Sequence, residues 1–342
     1  MECLFAFSPL RLLDLCMQLL TGYPHDSCHH LNGPGAYEWW YVDALSADAE
    51  WGVVMIVFRG MPMSPNYLDD PNDLTGGYSL SVYHRGVRVA FAFAGEPLDD
   101  PSGKAEFTKL DEGRHVCRID ATMPGIKRSA RVEVVLSGEG AAPSTEEFTA
   151  DHGWVLAAPR SPCTVHIELA EGGRTTVDET FETLAYHDHN MGRRAMSDDF
   201  REWFWGRVHA SDRTYVYLAT PNATTPFSWV GEVDDRGLVT PWTDVDFTYE
   251  YPWLSFMGLS LHRRVMIHGL GADGVRRLLI CDNVRACENG PFYQRYISRW
   301  TLNGVDIGSG TSEFMHVRRL RARWIRPFLR LPWIFHRSSS TP

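Results

Sequence analysis

A chain of 342 residues can bury one large core or two ordinary ones, and 44% hydrophobic with 22% charged residues excludes both a disordered and a membrane-spanning class. The formal charge of −10 excludes a general nucleic-acid partner, which needs a basic face to neutralise phosphates. Seven scattered Cys (3, 16, 28, 117, 163, 281 and 287) without a CxxC fit neither a disulfide framework nor a zinc knuckle, so a reducing, cytoplasmic compartment is expected.

In chain order, the first 20 residues are apolar, but Glu2 stands where a signal peptide carries basic residues, and Arg11 and Asp14 interrupt the run. A short amphipathic helix is expected there, followed by a loop rich in Gly, Pro and Asn up to residue 32. From Tyr37 onward the pattern changes to short extended runs, at 51–58, 77–83, 87–93, 130–136, 163–169, 214–219, 263–268 and 276–281. Turn residues punctuate them, and 46–50, 234–237 and 271–274 read as hairpin turns. No long amphipathic helix is expected between residues 40 and 300. This rhythm predicts an all-β chain of antiparallel sheets closed into barrels or sandwiches.

The chain also echoes itself. Glu38-Trp39-Trp40-Tyr41 and a following strand resemble Glu202-Trp203-Phe204-Trp205 and its following strand. Two related β domains are therefore expected, at 33–195 and 196–317, between an N-terminal segment, 1–32, and a basic aromatic tail, 318–342. The tail has seven Arg and no acid, interleaved with Trp324, Ile325, Phe328, Leu329, Leu331, Trp333 and Phe335. Such a mixture settles at a membrane interface or straps its aromatics across a barrel, and Pro327 and Pro332 prevent one continuous helix. On the first of these readings the protein makes peripheral contact with the inner face of a membrane.

The densest chemistry lies at Leu184-Ala185-Tyr186-His187-Asp188-His189-Asn190-Met191-Gly192. On an extended strand Tyr186, Asp188 and Asn190 share one face, and His187 and His189 the other. An Asp among aromatic side chains is desolvated, which raises its pKa and leaves it a proton to donate. The other reading is a buried Asp tied to backbone amides or to Arg193, Arg194 or Arg207. His187 and His189 form an HxH pair that can ligate a metal with help from His152, His166, His209 or Glu202. No spacing selects among these, and neither a metal nor a cofactor is assigned. Residues 269–274 match GxGxxG, but a strand rather than a helix follows, so no dinucleotide site is expected.

Four blocks carry a resemblance. They are Gly35-Ala36-Tyr37-Glu38-Trp39-Trp40-Tyr41-Val42-Asp43-Ala44-Leu45, His152-Gly153-Trp154 with Ala158-Pro159-Arg160, Ala185-Tyr186-His187-Asp188-His189-Asn190, and Trp203-Phe204-Trp205-Gly206-Arg207. Together they resemble the carotenoid 1,2-hydratase (hydroxyneurosporene synthase) family. The resemblance implies two tandem lipocalin-like antiparallel β-barrels with short terminal helical or irregular segments. It implies addition of water, without a cofactor, to the terminal C=C bond of an acyclic carotenoid or other isoprenoid. Asp188 then matches the proton donor, with Tyr186, His152 and Trp154 beside it. Trp39, Trp40, Tyr41, Asn190, Trp203 and Trp205 are the expected substrate-binding residues. Protonating such a bond makes a tertiary cation, which aromatic faces stabilise. The competing functions are a carrier of an apolar ligand that does no chemistry, and a cyclase or pericyclase using the same pocket.

Overall fold

The structure, a computed structural model, describes residues 17–95, 105–109, 114–123, 128–329 and 335–336. The first half supplies β1 (Met17–Thr21), β2 (Tyr37–Leu45), β3 (Trp51–Arg59), β4 (Gly76–His84), β5 (Val87–Gly95), β6 (Ala105–Lys109), β7 (His115–Met123), β8 (Arg128–Leu136), β9 (His152–Glu171) and β10 (Arg174–Gly192). The second half supplies β11 (Trp203–His209), β12 (Arg213–Thr220), β13 (Phe227–Asp234), β14 (Val239–Pro241), β15 (Thr243–Leu254), β16 (Ser260–Leu270), β17 (Arg276–Asn289), β18 (Tyr293–Leu302) and β19 (Val305–Met315). A final short strand, β20 (Phe335–His336), pairs with β5. Each of the eight expected strands lies inside one of these, and the described α-helices are about one turn each: α1 (Pro65–Asp69), α2 (Met196–Asp199) and α3 (Arg326–Leu329).

The strands form two curled antiparallel sheets, ordered β20-β5-β4-β3-β2-β10-β9-β8-β7-β6 and β14-β13-β12-β11-β19-β18-β17-β16-β15. The first curls until β3, β4 and β5 come to face β6, β7 and β8, the second until β13 meets β15. In each, the strand carrying the echoed motif, β2 or β11, pairs with both its successor and the last long strand of its half, β10 or β19. The fold is therefore a tandem pair of lipocalin-like β units.

Alternation along the strands divides the apolar side chains into three large cores and a smaller cluster around Leu20, Val155 and Met191. One fills the first sheet, around Val42, Met55, Leu80, Ile119 and Val165. Another fills the second, around Phe204, Tyr217, Ile267 and Trp300. The third lies between the two sheets and is strongly aromatic, with Tyr37, Tyr41, Trp154, Tyr186, Phe200 and Trp205.

Two terminal expectations need correction or refinement. Residues 1–16 lie outside the described residues, but Met17–Thr21 is a strand parallel to β9, not part of a helix. β8 pairs only with residues 163–171 of β9, so the edge at 152–156 needs a partner for its backbone groups, and β1 supplies it. In the tail, Leu320, Ile325 and Leu329 are buried in the inter-sheet core, with Val317 just before it. Three of its Arg bond to the protein: Arg319 to the carbonyls of Met257 and Pro291, Arg321 to Ser197 and Asp198, and Arg326 to Asp69 and the Leu68 carbonyl. The described part of the tail is a strap. No helix among the described residues is long and apolar enough to cross a membrane.

Candidate functional site

β10 runs between β2 and β9, with Asp188 opposite Tyr41. Around Asp188 the register against β9 slips twice: Ala185 pairs with Ser161, His187 with Ala158 and His189 with Val155. β9 thus carries extra residues opposite the acid, and such bulges are where a sheet admits Pro159, which has no N–H to give. Alternation then turns Tyr186, Asp188 and Asn190 outward, into the space between the two sheets, and His187 and His189 into the first sheet's interior.

Asp188 is buried, and three side chains donate to it. The Trp154 indole (2.9 Å) and the Tyr186 hydroxyl (2.6 Å) both meet Oδ2, and the Asn190 amide meets Oδ1 at 2.8 Å. Burial raises its pKa to about 7, against the Tyr186 and Trp154 donors and the nearby His187, which favour the charged form. The carboxyl group opens on a cavity of about 170 Å³ walled by Trp39, Tyr41, Ile56, Phe58, Trp154, Asn190, Trp203 and Trp205. Two pairs of expected binding residues meet across the junction: Trp39 and Trp203, tilted, at 6.3 Å between ring centroids, and Tyr41 and Trp205, edge to face, at 5.4 Å. Tyr186 stands behind the wall, edge-on to Trp205 at 5.1 Å.

Trp40 and His152 lie elsewhere. Trp40 points to the opposite face of β2, stacks on His189 at 4.5 Å and donates to the Asp26 carbonyl, so it does not line the cavity. His152 does not touch Asp188. Its Nδ1 accepts from the Tyr37 hydroxyl and its Nε2 donates to Asp199, both at 2.9 Å, while burial lowers its pKa and favours the neutral ring. Tyr37 and Phe200 do line the cavity, and His152 packs on both. Its place is behind the wall.

The HxH pair is not a joint ligand set. Burial opposes charge on His187, yet the Asp26 carboxylate at 2.9 Å from Nε2 and the Tyr41 carbonyl at 2.9 Å from Nδ1 raise its pKa, so both ring nitrogens donate. His189 lies 3.8 Å from Asp26 and 3.6 Å from Glu38. With His29 and Glu38 it forms the one grouping among the described residues whose donor atoms, all within 4.8 Å, are close enough to share a cation. Glu38 also accepts from the backbone of His29 (2.7 Å) and Leu31 (3.1 Å) and pairs with Arg59 at 3.4 Å. His152, His209 and Glu202 contribute nothing to this cluster.

One part of the cavity was not expected from the sequence. Glu288, Arg295 and Glu313, on β17, β18 and β19, form a polar wall on the side of the second sheet. Arg295 donates to Oε1 of Glu313 from Nε (3.0 Å) and from Nη2 (2.7 Å), and its Nη1 meets Glu288 at 3.0 Å. In sequence these charges resemble a solvated strand face. The available signal is Arg295 between Tyr293 and Tyr296, and Glu313 beside Phe314 and Met315: single charges set among large apolar side chains.

Comparison with known proteins now adds to the geometry. The family model for carotenoid hydratase CrtC matches residues 113–339. The chain belongs to that family. Among relatives of the carotenoid hydratase CrtC family, a hydroxyneurosporene dehydrogenase of Chlorobaculum tepidum is 27% identical over 91% of this chain and 91% of its own. An acyclic carotenoid 1,2-hydratase of Rubrivivax gelatinosus is 28% identical over 88% of this chain and 73% of its own. Among solved structures, CghA with Sch210972 aligns with a TM-score of 0.61 at 13% identity, covering 83% of this chain and 89% of CghA. A putative AttH of Nitrosomonas europaea aligns at 0.56 with 14% identity, covering 83% and 93%. At such identities these structures establish the shared double-sheet fold alone. Within this CrtC-family chain, the family match spans β10 with Asp188 and reaches through the second sheet to Glu313.

Proposed function

We propose that this protein is a hydratase that adds water to the terminal C=C bond of an acyclic carotenoid or similar isoprenoid, with Asp188 as the proton donor. The observation that carries the reading is a carboxyl group with a pKa near 7 facing an aromatic cavity between the sheets. A carboxyl group that keeps its proton near neutrality can pass it to an alkene. Oδ2 already accepts two hydrogen bonds and Oδ1 only one, so the transferable proton belongs on Oδ1. The cation formed at the more substituted carbon then faces the rings of Trp39, Tyr41, Trp203 and Trp205. A cavity of this volume takes the end of a polyene rather than its length.

The test is incubation with lycopene and mass analysis for a product heavier by one water. Asp188→Asn keeps shape and hydrogen bonding but has no proton to transfer, so turnover should fall by at least ~10²-fold while lycopene binding persists. An Asp188→Asn variant with the parent rate would sink this mechanism. Binding without any product from the parent protein would instead favour a carrier.

A further inference from the structure

We infer that Glu313 is the general base of the hydration, holding the attacking water in the same cavity as Asp188. The inference rests on the reading of Asp188 as the acid. Glu313 on β19 pairs in register with Trp205 on β11, so their side chains leave the sheet on the same face. Trp205 in turn lies against Tyr186, whose hydroxyl bonds Asp188. Acid and base thus flank one pair of rings.

The wall's two acids differ in what they have left to offer. Glu288 is occupied on both oxygens, Oε1 by Ser81, Tyr83 and Arg295, and Oε2 by Arg88. Glu313 is gripped by Arg295 on Oε1 only. Among the described residues no group donates to its Oε2, and the residue lines the cavity. That oxygen is the vacant acceptor for a water O–H. Asp188 is held by neutral donors, whereas Glu313 is held by a guanidinium through one oxygen, which leaves the other aimed at the cavity's contents. A cavity built only to hold a hydrocarbon end would gain nothing from the cost of burying Arg295 and two acids in its wall.

The step balances. The alkene π pair takes the proton on Asp188 Oδ1, forming a C–H bond and leaving a tertiary cation and the Asp188 carboxylate. The water oxygen forms the C–O bond as its O–H bond breaks, and that proton passes to Glu313 Oε2. Solvent exchange returns one proton to Asp188 and removes one from Glu313, so the net change is addition of one water.

The experiment is turnover of lycopene in D2O by the full chain, reading two quantities: hydrated product, and deuterium in recovered lycopene. The second appears when the cation forms and then, instead of capturing water, loses a hydrogen other than the deuteron just delivered, from the same carbon or an adjacent methyl group, because return of that same deuteron to Asp188 leaves no label. Glu313→Gln should lose hydrated product by at least ~10²-fold while deuterium exchange persists. Asp188→Asn should lose both. Glu313→Asp keeps the charge opposite Arg295 but withdraws the oxygen, and should show the same separation more weakly. It carries the test if circular dichroism shows that the Gln variant does not fold. Hydration at the parent rate in the folded variant, or equal loss of exchange and hydration, overturns the assignment of Glu313 and leaves Asp188 standing. Undiminished turnover by Asp188→Asn, or a parent protein inert towards lycopene, overturns the acid reading and this inference with it.

Discussion

At Asp188 the cost of burying a charge outweighs the hydrogen bonds from Tyr186 and Trp154 that favour that charge, and the balance leaves the pKa at about 7. The proton-bearing form is the one that reacts, so kcat/KM should decline as pH rises through about 7. Tyr186 is one of the groups pulling that pKa down. Tyr186→Phe removes a donor to the carboxylate without opening much space, so the descending limb should move to higher pH by about one unit. A pH profile of lycopene hydration checks this, and an unmoved limb would place the titrating group elsewhere. The alternation that sets Tyr186, Asp188 and Asn190 on one face was legible in the sequence, because strand periodicity is fixed by the pleat. The Glu313 oxygen was not. Whether a charged residue on a strand faces solvent or a second sheet is decided by packing that no local pattern records.

Among the elements, β9 and β19 show two ways in which a strand escapes sequence reading. Pro159 and Pro162 break the extended pattern of β9, so only residues 163–169 were expected, yet the strand runs from His152 to Glu171. The bulges opposite Asp188 accommodate the interruption and also bend the strand around the acid. β19 lies close against β11 because Gly310 has no side chain. A Cβ there would run into the Arg207 carbonyl oxygen and lie 2.8 Å from the Trp300 indole nitrogen. Gly310→Ala should push β19 away from β11, costing about 1–3 kcal/mol by overpacking. Glu313, three residues along, should move with the strand. The checks are a lowered Tm and reduced hydration, and a variant with the parent Tm would mean that the two strands have slack that their packing does not show.

For the whole molecule, the internal echo marks positions that touch. Trp39 meets Trp203, Tyr41 meets Trp205, and Asp43 bonds Arg207, each pair 164 residues apart. Equivalent positions of the two repeats therefore face one another, with β2 and β11 side by side at the junction. The repeat was visible in the sequence, but not that its outward faces would make a shared core and cavity, since two copies of a motif carry no record of their relative placement. The Asp43–Arg207 pair anchors that junction. Both side chains are almost wholly buried, Arg207 donates to Oδ1 from Nε at 2.8 Å and from Nη2, and Tyr41 and Thr311 each meet Oδ2 at 2.8 Å. Removing one member of a buried pair leaves the other charge stranded, at a cost of about 3–5 kcal/mol, whereas replacing both with apolar groups of similar volume can be nearly neutral. Asp43→Leu and Arg207→Met should each lower stability in urea by that amount, and the double variant should recover much of it. The single variants should also lose hydration as the sheets separate around the cavity. Additive losses in the double variant would mean that the pair is not a coupled unit, and that the aromatic contacts alone hold the two sheets together.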